Sequence, residues 1–224
     1  MIKAVIFDLD NTLIDFLKMK RLACSEAVDA MIDAGLKMKK DVALKILYGL
    51  YGKYGIEYQM IFQKFLKMVT GKIDYKVLAY AIIAYRRVKN GFLAPYPGVK
   101  QVLIKLKEKG LRLAVVTDAP RLQAWLRLSA MKLDDFFDVV VALEDTGRLK
   151  PHRLPFRAAL KKLKLVPSEC LMVGDNPERD VMGAAKLGMP TCLAKYGLTY
   201  KADKVKPDFE IRDIRELLSV VNSA

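Results

Sequence analysis

Five short apolar runs, set apart by helical patterns, constrain this chain more than any other feature. They are KAVIFD (3–8), RLAVVTD (112–118), DVVVAL (138–143), ECLMVGD (169–175) and PTCLAK (190–195). None alternates apolar with polar residues as a half-exposed strand does. Each is nearly continuous, the pattern of a parallel strand covered on both faces. Between them, helices are expected at 97–109, opened by Pro97 and Gly98, at 120–131, opened by Pro120, at 155–164, and at 177–187, opened by Pro177 and stopped by Gly188. A last helix is expected near 213–221. Strands alternating with helices at this spacing predict an α/β fold, a doubly wound open parallel sheet with a Rossmann-like core.

The rhythm breaks once, after the first run. Residues 15–93 hold helical patterns only: Ile61, Phe62, Phe65, Leu66 and Val69 share one helical face, and Leu78, Ala81, Ile82 and Tyr85 share another. Asp41 and Asp74 stand where N-caps are expected. The block reads as an inserted all-helical cap domain (15–93) in a catalytic core made of 1–14 and 94–224. It carries 15 Lys and Arg against 7 Asp and Glu, +8 of the chain's +14 (15 − 7), and seven of the ten tyrosines. Tyr48, Tyr51, Tyr54 and Tyr58, at spacings of three and four, are expected to pack between cap helices. Trp125, in a core helix, is expected to be structural.

At 224 residues and 53% hydrophobic, the chain can bury a substantial core. Its N-terminal apolar run is interrupted by Asp8 too early for a signal peptide, and no stretch reaches the ~18 apolar residues of a membrane span. No membrane partner and a cytoplasmic location are expected. Cys24, Cys170 and Cys192 lie far apart and form no metal-site spacing, so buried core positions are expected for them. A single histidine, His152, argues against a histidine triad or a histidine-rich metal centre. The net charge of +14 favours anionic partners. Its basic residues are spread along the chain without a zinc-finger, basic-zipper or RNA-recognition signature, so no specific nucleic-acid partner is expected.

The first run ends in two carboxylates, DLD, two residues apart. Burying either one unpaired is costly, so their place at a strand end needs a reason. In doubly wound sheets ligands gather at the carboxyl ends of the strands. That rule assembles Asp8 and Asp10, Thr117 and Asp118, and Asp175 from GDNPERD, with Lys150 of GRLKP within reach. Taken singly these motifs are ordinary turns and caps; their order and shared placement at strand ends make a site.

With these residues the chain resembles the haloacid dehalogenase-like superfamily, in its branch with a helical cap after the first motif. DLDNT resembles the nucleophile motif, Thr117 the second motif, Lys150 in KPHRLPF the third and GDNPERD the acidic fourth. The resemblance implies Asp8 as nucleophile, forming an aspartyl-phosphate, and Asp10 as general acid and then base. It implies Thr117, Asp118 and Lys150 at the phosphate, and Mg²⁺ as cofactor held by the Asp8 carboxylate, the Asp10 backbone carbonyl and Asp175, with Asp180 supporting that shell. Asp118 departs from the Asn of many relatives; a second anion there is unfavourable unless it points outward or pairs with a base. Asp10 separates a phosphatase from the dehalogenases, whose halide needs no proton on leaving. The expected activity is Mg²⁺-dependent hydrolysis of a small phosphorylated metabolite, a sugar phosphate or phospho-acid. A phosphomutase of the same superfamily is the enzymatic alternative, and a non-catalytic binder of nucleic acid or another anion is the alternative from a different class.

Overall fold

Strands β1 (Ala4–Phe7), β2 (Arg112–Val116), β3 (Val139–Val141), β4 (Cys170–Gly174), β5 (Thr191–Ala194) and β6 (Phe209–Ile211) form one sheet in the order β3-β2-β1-β4-β5-β6, with every pairing parallel. The computed structural model describes residues 1–198 and 205–223. β1 and β4 are buried along their whole length, as continuous apolar runs require. One face packs Ala4, Ile6, Ala114, Val116, Cys170 and Met172 against Phe156, Ala159 and Leu163. From β1 the chain moves to β2 and β3 on one side, then crosses to β4, β5 and β6 on the other. β1 therefore lies at the reversal of strand order, where the crevice of a doubly wound sheet opens.

The chain divides into two compact units, Met1–Phe16 with Ala94–Ala224, and Leu17–Leu93. The second unit is helical: α1 (Phe16–Asp33, which begins one residue before it), α2 (Lys40–Tyr54), α3 (Ile61–Thr70) and α4 (Tyr75–Phe92). Its core gathers Val28, Met31, Leu47, Phe62, Phe65 and Leu78 among others. In the first unit follow α5 (Val99–Glu108), α6 (Arg121–Ala130), the single turn α7 (Leu143–Thr146), α8 (Arg153–Leu163), α9 (Met182–Ala185) and α10 (Leu217–Ser223). No helix among the described residues is long and apolar enough to cross a membrane.

Several local expectations are corrected. Asp74 does cap α4, accepting from Lys76 and Val77 N–H, but the N-cap of α2 is Lys39, and Asp41 lies inside the first turn. The helix expected over 177–187 opens as a π-turn, Pro177–Val181, before one turn of α9. β6 was not expected: Phe-Glu-Ile is short and alternates, and it is joined to β5 through Asp208, which accepts from the Thr191 N–H and hydroxyl. Trp125 is 41% exposed, because α6 buries its other face, Ala124, Arg127 and Leu128. Of the four spaced tyrosines only Tyr51 is buried; Tyr48 and Tyr54 are exposed, and Tyr54 stacks on Tyr58 with ring centroids 5.1 Å apart. The three cysteines are buried and free.

Candidate active site

Phe7 lies in register with Val115 on β2 and Val173 on β4. The Asp8 N–H extends that ladder by one bond, donating to the Val173 carbonyl at 2.9 Å. The Asp8 carboxylate thus leaves the sheet at its carboxyl edge, between the ends of β2 and β4. Three elements converge on it there.

Lys150, in the loop before α8, is buried, and its side chain reaches the carboxyl edge of the sheet. Its ammonium meets Asp8 Oδ1 at 2.5 Å, Asp180 Oδ1 at 2.7 Å and the Val116 carbonyl at 3.0 Å. The ammonium donates to Asp8 and to the Val116 carbonyl, and pairs by charge with Asp180. Burial would lower the Lys150 pKa, but Asp180, Asp8 and Asp118 outweigh it and keep the ammonium charged. Asp175, at the end of β4, accepts from the Thr12 hydroxyl at 3.3 Å. Asp180, in the π-turn, is fully buried and accepts from the Asn176 N–H at 3.1 Å.

Oxygens of Asp8, Asp175 and Asp180 lie within 4.8 Å of one another. Burial first, then the neighbouring carboxylates, pushes Asp175 up from the usual carboxylate range. Asp180 is also raised by burial and by Asp8, against the opposing pull of Lys150. Three buried carboxylates around one ammonium leave an excess of negative charge, and all the donors are hard oxygens. That set suits a divalent cation of the Mg²⁺ kind. Two glycines make the close approach possible. A Cβ on Gly174 would occupy the space of the Asp180 carboxylate, and one on Gly197 would overlap the Asn11 carbonyl and crowd Asp175 Cβ.

The remaining expected residues stand around this centre. Thr117 is buried at the end of β2, its N–H donating to the Val141 carbonyl and its hydroxyl accepting from the Ala119 N–H at 3.1 Å. The Asp118 carboxylate accepts from the Lys150 backbone N–H at 2.8 Å and pairs with Arg179 at 3.3 Å. Burial raises its pKa, with Lys150 opposing. Its side chain therefore meets the condition set for an anion at this place, pairing with a base, and it positions the Lys150 backbone. Asp10 stands apart from the three clustered carboxylates: its Oδ2 accepts from Arg127 Nη1 at 2.6 Å. His152 caps α8, its ring Nδ1 accepting from the Leu154 N–H at 3.2 Å.

Thr12, Arg127 and Arg179 were not anticipated. For Arg127 a signal existed: it falls on the same helical face as Ala124, Leu128 and Met131, where an arginine is out of place unless it has a partner inside. Thr12 and Arg179 lie inside DLDNT and GDNPERD, but only the fold shows which side chains they face.

Residues 5–194 match the model of the haloacid dehalogenase-like hydrolase family, and the chain belongs to that family. A glyceraldehyde 3-phosphate phosphatase from Methanocaldococcus jannaschii is 37% identical over 225 residues, spanning 100% of this chain and 98% of that protein. A protein of the same name from Pyrococcus furiosus is 34% identical over 223 residues, spanning 98% of this chain and 93% of that one. Among solved structures, a haloacid dehalogenase-like phosphatase from Thermococcus onnurineus superposes with a TM-score of 0.73 at 26% identity, covering 98% of each chain. Hydrolases of this family generally use Mg²⁺.

Proposed function

We propose that this protein is a Mg²⁺-dependent phosphatase that hydrolyses a short sugar phosphate or a similar small phosphomonoester. One observation carries the reading. At the switch point of a doubly wound sheet, Asp8, Asp175 and Asp180 close on one another beside the ammonium of Lys150. The full-length relatives named as glyceraldehyde 3-phosphate phosphatases support the substrate class.

Asp8 is the nucleophile in this reading. Its carboxylate forms a bond to phosphorus as the ester oxygen departs on the opposite side, and Asp10 gives that oxygen its proton. Asp10, now a carboxylate, takes a proton from water; the water oxygen bonds to phosphorus, the bond to Asp8 breaks, and inorganic phosphate leaves with both carboxyl groups restored. Lys150 neutralises charge on Asp8 and on the transferring group, and the Thr117 hydroxyl donates to a phosphoryl oxygen, the positioning and electrostatic work that phosphoryl transfer mainly needs. Asp118 holds the Lys150 backbone in place. Asp8, Asp175 and the Asp10 carbonyl would hold Mg²⁺, with Asp180 held between that set and Lys150. Bound there, the ion supplies charge neutralisation for the phosphate and the clustered carboxylates. The inserted residues 15–93, following directly on the nucleophile's strand, are proposed as the cap that restricts which esters are admitted.

Phosphate release from a panel of esters tests the reading, with glyceraldehyde 3-phosphate, other sugar phosphates and 4-nitrophenyl phosphate assayed in Mg²⁺ and in chelator. Hydrolysis in Mg²⁺ only is expected. Turnover surviving removal of all divalent metal would eliminate the metal assignment. An isomeric sugar phosphate formed without free phosphate would make the protein a mutase. No turnover of any ester, together with salt-sensitive binding of nucleic acid, would make it a binder.

A further inference from the structure

We propose that Arg127 is the positioning residue for Asp10, the strut that fixes which oxygen of its carboxylate faces the leaving group. The inference rests on Asp10 as the acid and base of the proposed reaction. Arg127 lies on the buried face of α6 and is 1% exposed, whereas the Asp10 side chain is 21% exposed. The arginine is thus the more enclosed partner, which suits an internal support rather than a group that meets substrate, and Asp10 Oδ1, the oxygen turned away from it, is itself buried. Nη1 donates to Asp10 Oδ2 at 2.6 Å, a short charge-assisted bond. The guanidinium also lies over the Phe16 ring, 4.4 Å from its centroid, so the plane of the fork is set by an aromatic face as well as by the carboxylate.

Backbone geometry explains why Asp10 needs such a support. It lies beyond β1 in a tight turn, followed by Asn11 in the left-handed region at φ 60 and closed by the Asn11 N–H donating to the Ile14 carbonyl. The turn, bridged between Asp10 and Ile14, sets the backbone, and the contact with Arg127 acts on the side-chain torsions beyond it. A guanidinium orders them in one direction only, because it carries donors and no acceptor. An oxygen facing it cannot direct a proton of its own along the same line. The proton that Asp10 passes to the leaving oxygen and recovers from water is therefore carried on Oδ1. Arg127 converts a rotatable carboxyl into one with a defined working oxygen.

A leaving-group comparison in the full-length, Mg²⁺-loaded enzyme tests this. An alkyl ester such as glyceraldehyde 3-phosphate releases an alkoxide that needs a proton, while 4-nitrophenyl phosphate releases a stabilised phenolate that scarcely does. Arg127→Met is expected to lower kcat/KM for the alkyl ester about 10-fold or more beyond any loss on the nitrophenyl ester, a part of the ~10²–10⁴ that general acid catalysis provides. Arg127→Lys, which keeps a donor at the site, is expected to recover part of that selective loss. In an Asp10→Asn background, Arg127→Met is expected to add no further selectivity, since the group it positions is already disabled. Equal losses on both esters, or a selective loss that adds in full to that of Asp10→Asn, would reduce Arg127 to a structural ion pair. Should Arg127→Met not yield folded protein, Arg127→Gln and Arg127→Lys give the same comparison. Failure of the wild type to hydrolyse either ester overturns the phosphatase reading and this inference with it; an active wild type with unselective variants overturns the inference alone.

Discussion

The two units differ most in what they bury. Of the nine buried polar or charged residues among those described, eight (Asp8, Thr12, Thr117, Arg127, Lys150, Asp175, Asp180 and Thr191) belong to the unit that carries the sheet, and one, Lys20, belongs to the helical unit. Lys20 is accommodated softly: its ammonium donates to the Tyr85 hydroxyl at 2.9 Å and lies 4.3 Å from the Tyr51 ring centroid. The sheet unit instead crowds like charges together. Opposing the desolvation and repulsion of three carboxylates is stability given up at one place, the pattern expected where chemistry sets the residues rather than packing. The helical unit is held by apolar contacts and keeps most of its lysines at the surface. Changes in it should alter stability without touching the chemical step, and changes at the sheet edge should do the reverse or both.

Asp8→Asn gives the widest separation. An amide is a poor nucleophile and a weaker metal ligand, so turnover should fall by on the order of 10³-fold or more, as losses of nucleophiles do. Thermal unfolding should change little or shift upward, because one of three clustered charges is gone. Near-normal turnover would refute the covalent route.

Lys150→Met is expected to strike both properties. Removing one partner of a buried ion pair typically costs ~3–5 kcal/mol, and here the ammonium is shared by Asp8, Asp180 and the Val116 carbonyl. Urea unfolding should show the loss in metal-free protein, and added Mg²⁺ should restore part of it by neutralising the same carboxylates. Phosphatase activity should stay low even where stability is restored. A variant as stable as wild type without metal would show that the cluster is not strained.

The pH dependence of metal-free protein sharpens the comparison further. Asp175 and Asp180 are raised from 3.8, so above that pH the native state binds more protons than the unfolded chain, and stability falls as pH rises through the raised values. Lys150, raised above 10.5, contributes fully below that value and does not offset the decline. Asp138 and Asp145 have the opposite sign. Despite burial, hydrogen bonds and nearby cations hold both below 3.8, so their stabilisation is lost only as pH falls under that value, outside the window. Urea midpoints measured from about pH 5 to about pH 9 should decline without metal, and the slope should flatten with Mg²⁺ or in Asp175→Asn. A flat profile in chelator would contradict the crowding of these carboxylates.

How far the sequence disclosed this depends on how local each cause is. Continuous apolar runs identify five strands because a parallel strand is buried on both faces, and the switch-point rule then places Asp8, Asp10, Thr117, Lys150 and Asp175 at one edge. β6 was hidden because its short run is joined to β5 through Asp208 and Thr191, a contact across 17 residues with no periodic signature. α6 presents two competing faces. Leu122, Trp125 and Leu126 form the more apolar stripe, yet the helix exposes them and buries Ala124, Arg127 and Leu128. The arginine on that buried face meets its partner in Asp10, 117 residues away in the chain, which hydropathy along the helix does not disclose. The role of the Asp118 side chain likewise depends on a backbone N–H 32 residues on, beyond the reach of motif spacing.

The smallest expected effect is the cleanest check that the helical unit is chemically silent. Asp74 precedes α4, in extended conformation, and its carboxylate accepts from Lys76 N–H at 2.9 Å and Val77 N–H at 3.2 Å. Those donors have no partner within the helix, so Asp74→Ala returns them to water and removes a negative charge from the positive end of the helix dipole. Replacing such a cap costs ~1 kcal/mol. In a chain of this size that is a midpoint shift of about 2–4 °C. The loss should fall on α4, whose Val77, Leu78 and Ala81 lie in the helical unit's own core, so hydrogen exchange should quicken there and not in β1 or β4. Activity below the unfolding transition should keep its kcat and its preference between alkyl and nitrophenyl esters. A fall in kcat on both esters alike would mean that the helical unit bears on the chemical step, and the division between a reactive sheet edge and a silent helical unit would have to be redrawn.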